Sequence, residues 1–317
     1  MKVALIGASG ETGGSIANAL LESGTFEIIS LVRESSLTKP INVELQKKGV
    51  TLVPVDLNGP EEALVPVLAG VDVVISAIDA GLLLKQIPLA NAAKAAGVRR
   101  FIPCSWATVA PPAGVMELRD AKEEVINHIK KIKLPYTIID VGWWYQISVP
   151  RVPSGRLDYA VMMPSDTIIG DGNTLSARTD VRDIGRFVAR IIADPRTLNK
   201  YVFAYNELWS QNQIYDLLEK LSGEKLERQY ESEAQLLDQI ASAKKETGPW
   251  AKIKVWSLEY RHSWGIRGDN VPEYATYLGY VDAKELYPDL KGISFEDFVK
   301  ELLDGKGNLP YKNKTPP

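Results

Sequence analysis

The sequence has a single cysteine, Cys104, and only two histidines among its 317 residues. One cysteine cannot form an internal disulfide, and two histidines offer no persuasive zinc-type cluster or Ser-His-Asp triad. No metal site is therefore predicted. The net charge of -3 shows no electrostatic footprint for nucleic acid or an anionic membrane. No run of about 18 apolar residues is present, so no membrane span is predicted.

The amino terminus also lacks the charged, apolar and cleavage regions of a signal peptide. With one cysteine and no export signal, a cytoplasmic location is the simplest prediction. What the chain does have is an ordinary globular composition, 45% hydrophobic and 24% charged, which can build a sizeable core. At this length we expect two domains, or one domain with a large appendage.

Strand-like and helix-like runs alternate through residues 1–140. The strand-like runs are short and rich in valine and isoleucine, which is typical of parallel strands buried on both faces. The runs between them carry apolar residues at helical spacing, most clearly at 84–96 and 120–132. The alternation predicts an α/β fold built on a doubly wound parallel Rossmann sheet. The predicted strands are 2–6, 27–32, 51–55, 72–76, 100–103 and 136–140.

The rhythm of the sequence changes after residue 140. An amphipathic helix is predicted at 180–193, and two further helices at about 211–221 and 295–303. The segment 206–317 is rich in tryptophan. We expect residues 1–150 to form the dinucleotide-binding domain, and residues 151–317 to form a smaller, largely helical α/β substrate domain. The tail after Gly305 is polar and proline-containing, and it is expected to fray.

A glycine-rich turn follows the first predicted strand. Gly7, Gly10 and Gly13 have the spacing G-x-x-G-x-x-G between a strand and a helix, which is the context of a dinucleotide fingerprint. The first glycine permits the tight turn, the second lets the backbone approach a pyrophosphate, and the third lets the helix pack on the sheet. The helix N-terminus offers its N–H groups to the phosphates. An ordinary strand–turn–helix is the alternative. The predicted cofactor-binding residues here are Gly7, Ser9, Gly10, Glu11, Thr12 and Gly13.

The residue at the end of the second strand usually contacts the ribose of the adenosine. Arg33 stands there instead of an acidic residue, and a guanidinium suits a 2′-phosphate through a bidentate contact. Lys39 follows closely and can add a donor, whereas a solvated surface arginine is the alternative. The sequence therefore favours NADPH/NADP⁺ as the cofactor. The other predicted cofactor-binding residues are Asp56, Ala77, Ile78, Lys122 and Gly142.

Hydride transfer usually needs a proton donor beside the nicotinamide. Two Tyr-x-x-x-Lys matches, Tyr280–Lys284 and Tyr287–Lys291, lie far past the sheet, and we interpret both as coincidental. Lys122 lies near the start of the helix after the fifth strand, where that tyrosine would be expected. Beside a cofactor and apolar walls, its pKa could fall enough for general acid or base catalysis. A solvated helix lysine paired with a carboxylate is the alternative from spacing alone.

Short motifs occur in a specific order along nearly the whole chain. They include GASGETG (7–13), LVRESS (31–36), AAGVRRFIPCS (95–105), AKEEV (121–125) and ELYPDLK (285–291). Their order and spacing resemble the isoflavone-reductase-like, or NmrA-like, branch of the atypical short-chain reductases. That branch includes phenylcoumaran benzylic ether reductases, pinoresinol–lariciresinol reductases and eugenol synthases. The resemblance implies an NADPH-binding Rossmann domain, a substrate domain and a catalytic lysine at Lys122. It also implies that the segment of about 170–204 returns to the Rossmann domain.

Three segments depart from the pattern of this family. The reductases of this family carry Ser-Glu-Phe-Gly after the fifth strand, whereas residues 104–107 of this chain are Cys-Ser-Trp-Ala. After the sixth strand they tend to carry Asn-Gly-Phe-Phe, whereas residues 141–144 are Val-Gly-Trp-Trp. Asn42 occupies the spacing of a second basic residue. The changes predict a pocket of the family type that is tuned to a different ligand. Adjacent residues of an extended segment face opposite ways, so at most one of the paired tryptophans should line the pocket. The predicted substrate-contacting residues are Ser105, Trp106, Trp143 and Trp144.

These observations predict an NADPH-dependent reductase of a small aromatic or polyketide-like secondary metabolite, with lysine-assisted hydride transfer. Two alternatives stay open. One is an NmrA-like NADP-sensing regulator without turnover, a class that lacks the active-site lysine. The other is an NADP-dependent isomerase or lyase with no net redox change. The expected partner is a small aromatic molecule, without nucleic acid or membrane, and the expected assembly is a monomer or homodimer.

Overall fold

The computed structural model describes residues 1–162 and 166–312. Six parallel strands form where the sequence predicts them, each end within one residue of its predicted position. The first five have the order β3-β2-β1-β4-β5. A parallel bridge between Phe101 and Tyr136 joins the sixth strand to this sheet. The strands are β1 (Lys2–Ile6), β2 (Glu27–Val32), β3 (Thr51–Pro54), β4 (Val73–Ser76), β5 (Arg100–Ile102) and β6 (Thr137–Asp140).

The remaining strands are short and extend or flank this sheet. They are β7 (Trp143–Trp144), β8 (Thr167–Ile169), β9 (Ser176–Thr179), β10 (Lys200–Phe203), β11 (Glu207–Trp209), β12 (Gln229–Glu231) and β13 (Tyr280–Asp282). β10 lies between β6 and β13 and pairs in parallel with both. β9 lies between β7 and β11, and β8 pairs with β12. The observed architecture is therefore the predicted α/β fold with a central parallel sheet.

Twelve α-helices are found within the described residues. Those predicted at 180–193, 211–221 and 295–303 form within one residue of their predicted ends. The helices are α1 (Glu11–Ser23), α2 (Pro40–Lys47), α3 (Leu64–Leu68), α4 (Gln86–Ala95), α5 (Glu117–Lys131), α6 (Val181–Ala193), α7 (Gln211–Ser222), α8 (Glu233–Ala243), α9 (Ala251–Arg261), α10 (Pro272–Tyr277), α11 (Ala283–Leu286) and α12 (Phe295–Leu303).

Helices α1 and α6 pack closely against each other. A side chain at Gly185 would overlap the Ser15 carbonyl oxygen, so glycine is what lets the two backbones approach. The Ser15 hydroxyl accepts the Gly185 N–H (2.9 Å) and donates to the Arg182 carbonyl (3.1 Å). Ile184, Val188 and their neighbours on α6 share one buried apolar cluster with the inward face of α1. α6 and β10 thus pack with the central sheet, whereas the division at residue 150 stays a prediction.

The strand order reverses at β1. From β1 the chain proceeds outward to β2 and β3, and then returns to form β4 and β5 on the other side. In open parallel sheets, ligands bind in the crevice at the carboxyl ends of the strands on either side of such a reversal. Here the crevice lies between β1 and β4, directly beside the glycine-rich turn.

Candidate active site

The residues predicted to bind the cofactor follow the carboxyl ends of successive strands. Arg33, Asp56, Ala77 and Gly142 each lie within two residues of the end of β2, β3, β4 or β6. The glycine turn joins β1 to α1. Because these strands run parallel, their carboxyl ends meet at the same edge of the sheet.

The three glycines of the turn differ in what surrounds them. A Cβ at Gly7 would overlap the Ala77 carbonyl oxygen, and a Cβ at Gly13 would overlap the Gly7 carbonyl oxygen. Packing within the protein therefore requires glycine at both positions. At Gly10 φ is -90°, which any residue adopts, and the atom nearest to an added Cβ is the Gly7 carbonyl oxygen at 3.4 Å. Neither packing nor backbone conformation explains the glycine at position 10.

The first turn of α1 presents its backbone amides at this open side. Gly10 is the N-cap, and no side-chain oxygen of the described residues caps the helix. The helix dipole and its leading N–H groups favour an anion at this position. Ser9 is exposed, whereas Thr12 is buried. The carboxylate of Glu11 accepts the Tyr311 N–H (2.8 Å).

The loop after β2 carries the two predicted basic groups. Arg33 and Lys39 are exposed, and neither side chain has a hydrogen bond or ion pair with any residue in the described part of the chain. Asn42 is fully buried instead, and its side-chain amide donates to the Ser36 carbonyl (2.6 Å). Asn42 therefore fixes the loop from inside, while Arg33 and Lys39 are available to an external phosphate.

The turns after β3 and β4 complete the predicted cofactor edge. Asp56 is exposed, and its carboxylate accepts the Asn58 N–H (2.8 Å), which closes a tight turn. Ala77 and Ile78 are half-buried. The Ala77 N–H donates to the Ile6 carbonyl (2.9 Å), so this segment lies beside the glycine turn.

Lys122 is buried on α5, with 7% of its surface exposed. Its ammonium group donates to the carbonyl oxygen of Ser105, in the segment after β5. Burial lowers the pKa of Lys122, and Arg119 acts in the same direction, whereas Cys104 and Asp140 act to raise it. The lysine is thus buried and not the solvated helix residue of the alternative interpretation, while its role in catalysis stays a prediction.

A buried polar network lies next to Lys122, and the sequence analysis did not identify it. Asp140, at the end of β6, is fully buried and accepts from Arg119 (2.6 Å), Tyr280 and Ser105. Arg119 also donates to Glu123 (2.9 Å). The spacing of Arg119 and Glu123 by four residues was a usable signal. Tyr280 is 140 residues from Asp140, and nothing in the local sequence connects them.

Two predicted substrate-contacting residues have other partners in this arrangement. The Ser105 hydroxyl donates to Asp140, and its side chain is 1% exposed. Trp106 is 8% exposed, and its indole N–H donates to the Ser76 carbonyl (2.8 Å). Both side chains belong to the packed wall of the site rather than to an exposed surface. Ser105 differs from the prediction because its hydroxyl bonds to the buried Asp140, and Trp106 because its ring packs in the core. The local sequence reveals neither partner.

The paired tryptophans face opposite ways. The Trp143 ring lies 5.2 Å from the Tyr260 ring and 5.9 Å from the Trp264 ring. The Trp144 ring instead stacks on Tyr311 at 5.9 Å. The intervening backbone is fixed by Gly142, whose φ is +70° and whose position leaves no room for a side chain next to the Ala177 carbonyl oxygen.

The predicted frayed tail is wrong for residues 306–312, whereas the rest of that tail, residues 313–317, lies outside the described residues. The Gly307 N–H donates to the Tyr159 hydroxyl (3.0 Å), and Pro310 is buried. Tyr311 packs its ring on Trp144, and Glu11 accepts its N–H, so the tail crosses beside the glycine turn. A polar composition suggested fraying, whereas one aromatic side chain with a specific partner holds the segment.

Neither Tyr-x-x-x-Lys match forms a tyrosine–lysine hydrogen bond. The Tyr280 hydroxyl bonds to Asp140, and the Lys284 ammonium donates to the Asn206 carbonyl (2.8 Å). The Tyr287 hydroxyl bonds to Asp194 (3.0 Å). Within the described residues, no group of three or more potential metal ligands comes together, and no helix has the length and apolar character of a membrane span.

The sequence as a whole matches known reductases and dehydrogenases. The model of the NmrA-like family matches residues 1–294. An asnovolin J 5′,6′-dehydrogenase of Aspergillus novofumigatus is 51% identical over 314 residues, covering 96% of each chain. A probable pinoresinol-lariciresinol reductase of Arabidopsis thaliana is 32% identical over 311 residues, covering 95% of this chain and 97% of the relative.

Solved structures share the fold over nearly the whole chain. The binary complex of leucoanthocyanidin reductase with NADPH from Vitis vinifera superimposes with a TM-score of 0.81 at 25% identity. It covers 96% of this chain and 100% of that chain. A crystal structure of isoflavone reductase also gives a TM-score of 0.81, at 27% identity, covering 95% of this chain and 98% of that chain.

Proposed function

This chain belongs to the NmrA-like family, and from that membership we propose that it is an NADPH-dependent reductase of a small secondary metabolite. The relatives are named as reductases and dehydrogenases, which places the protein among the oxidoreductases. One structural neighbour is an NADPH complex, and the family therefore supports NADPH as the cofactor. A regulator without turnover is the less favoured alternative, since Lys122 is present.

The carboxyl edge of the sheet fits NADPH. The space at Gly10 supports close approach of a pyrophosphate to the uncapped first turn of α1. The exposed Arg33 and Lys39 suit the 2′-phosphate. Ala77, Ile78 and Gly142 would line the path toward the nicotinamide. When bound, NADPH supplies the hydride for the reaction.

Lys122 is the proposed acid of the site. The single observation that carries this role is the burial of its ammonium group, whose one hydrogen bond among the described residues is to the Ser105 carbonyl. A desolvated ammonium stabilises negative charge developing on a substrate more strongly than a solvated one. The lowered pKa also brings proton transfer closer to neutral pH.

The substrate class is proposed from the walls of the site. Trp143, Tyr260 and Trp264 form one group of rings, which suits a flat aromatic or polyketide-like molecule. The 51% identical relative is named a dehydrogenase, so hydride transfer in the oxidative direction is the second candidate. We also propose that residues 1–150, together with the segment of about 170–204, bind the dinucleotide. The remaining residues would bind the substrate. The packing of α6 on α1 supports this division.

The proposal is tested by assaying both directions with a panel of quinones, enones, ketones, isoflavonoids and phenolic ethers. NADPH consumption and NADP⁺ reduction are followed by absorbance. We expect turnover with one of these classes, and a loss of about 100-fold or more in kcat for Lys122→Met. The exposed Lys131 on the same helix gives the matched control, Lys131→Met, which should keep full activity. Undiminished turnover by Lys122→Met would contradict the role of the lysine.

A further inference from the structure

Helix α9 is anchored on the start of the helix that carries Lys122. The carboxylate of Glu259, buried on α9, accepts the Glu117 N–H in the first turn of α5 (2.8 Å). The ammonium of Lys244 bridges the carboxylates of Glu259 (2.7 Å) and Glu117 (3.2 Å). The position of α9 relative to α5 is therefore set by a helix cap and a shared cation.

This anchor places Tyr260, the next residue on α9, against the site. Its ring contacts Trp143 at 5.2 Å and packs against the same apolar cluster as Cys104 and Trp106. Burial raises the pKa of Tyr260. The titratable and charged groups that act on its hydroxyl are Asp140 on β6, Arg119 on α5, Cys104 after β5 and Tyr311 in the tail. The phenol therefore stays neutral, and protonated, across the physiological pH range.

Two hydroxyl groups contact Asp140, and both are already engaged. Ser105 and Tyr280 both donate to the carboxylate of Asp140. The hydroxyl of Tyr260 makes no hydrogen bond to any residue in the two described stretches of the chain, 1–162 and 166–312. Tyr260 is half-buried, and its hydroxyl oxygen is not fully enclosed by the described residues, so it stays accessible to a ligand.

We propose that Tyr260 donates a hydrogen bond to a carbonyl oxygen of the substrate. This inference rests on the proposed reductase function and narrows the substrate to ketones and conjugated enones. In these molecules, hydride arrival at the carbon leaves negative charge on that oxygen. A fixed neutral donor stabilises the charge without giving up its proton. The ring of Trp143 holds the tyrosine ring in place, so little reorganisation is needed.

The test is Tyr260→Phe, which keeps the ring contact and removes only the hydroxyl. Because this hydroxyl has no partner among the described residues, the melting temperature should stay within a few degrees of that of the wild type. We expect kcat with a ketone or enone substrate to fall about 100-fold. The dissociation constant for NADPH should not change, and the loss should be equal at pH 6 and pH 9. Tyr277→Phe, at a side chain that is 81% exposed, is the control.

The outcomes separate this inference from the proposed function. Suppose that the wild type is active and that Lys122→Met is impaired. If Tyr260→Phe then keeps kcat within about threefold of the wild type, the hydrogen-bond role of Tyr260 is refuted, and the proposed reductase function stands. A loss that appears only above neutral pH would also refute the hydrogen-bond role, because a neutral donor acts equally across the range. If the wild type converts no substrate of any class in either direction, the reductase proposal fails, and this inference falls with it.

Discussion

A substitution of Gly10 should weaken NADPH binding without lowering the stability of the fold. Gly10 has an extended backbone and occupies the N-cap of α1, and a Cβ added there would make only an ordinary contact with the Gly7 carbonyl oxygen, at 3.4 Å. Gly10→Ser should therefore fold normally, since serine is a better N-cap than glycine by a few tenths of a kcal/mol. The added hydroxymethyl group occupies the side from which we expect the pyrophosphate to approach. We predict at least a tenfold increase in the NADPH dissociation constant, or about 1.4 kcal/mol.

Gly13→Ala is the contrasting variant. Its Cβ would overlap the backbone carbonyl oxygen of Gly7, which cannot move aside as a flexible side chain could. Overpacking of this kind costs about 1–3 kcal/mol. At roughly 2–4 °C per kcal/mol, the melting temperature should fall by roughly 2–12 °C. Thermal unfolding and titration of NADPH fluorescence measure the two effects. The reasoning is refuted if Gly10→Ser binds NADPH as the wild type does, or if it loses as much stability as Gly13→Ala.

Three further predictions concern charge. Arg33→Ala should raise the dissociation constant for NADPH by about 10- to 100-fold, while the dissociation constant for NADH stays unchanged. An equal loss of affinity for both cofactors would exclude a contact between Arg33 and the 2′-phosphate. The alkaline limb of the kcat–pH profile should lie below the ordinary lysine pKa of 10.5 because burial lowers the pKa of Lys122, and a limb at or above that pH would contradict this. The Arg196 guanidinium lowers the pKa of Asp194 from 3.8 to about 2. The charged Asp194 therefore stabilises the fold above pH 4, and this stabilisation disappears as the pH falls towards 2. Asp194→Asn should lower the free energy of unfolding by about 1 kcal/mol at pH 7 in urea unfolding, after allowance for solvent screening of the pair. The same difference at pH 2.5 would contradict the ion pair. The control is Asp238→Asn, at an exposed carboxylate that has no ion pair with any described residue.

The parallel sheet could be predicted because its strands are continuous apolar runs, which local composition identifies. The position of Lys122 beside the strand ends could be predicted for a similar reason, since strand–helix order places α5 next to β5 and β6. The helix at 180–193 could also be predicted, because its apolar residues have helical spacing. Such features depend on neighbours in sequence.

Features that depend on distant residues could not be predicted. The network around Asp140 needs Tyr280, which β13 brings to β6 through β10. Ser105 was expected to face substrate, and only this network explains why its hydroxyl is engaged instead. The placement of Tyr260 depends on Glu259 capping a helix that begins 142 residues earlier. Tyr311 meets Glu11 across 300 residues, so no periodicity could indicate that contact.

A crystal structure of the protein with NADP⁺ is the most direct test of the reductase account. We predict diphosphate oxygens on the amides of the first turn of α1 and the 2′-phosphate on Arg33. The nicotinamide ring should lie within hydrogen-bond or one-water reach of the Lys122 ammonium. A nicotinamide more than about 10 Å from that ammonium, beyond any one-water bridge, would contradict the assignment of Lys122 to the chemistry.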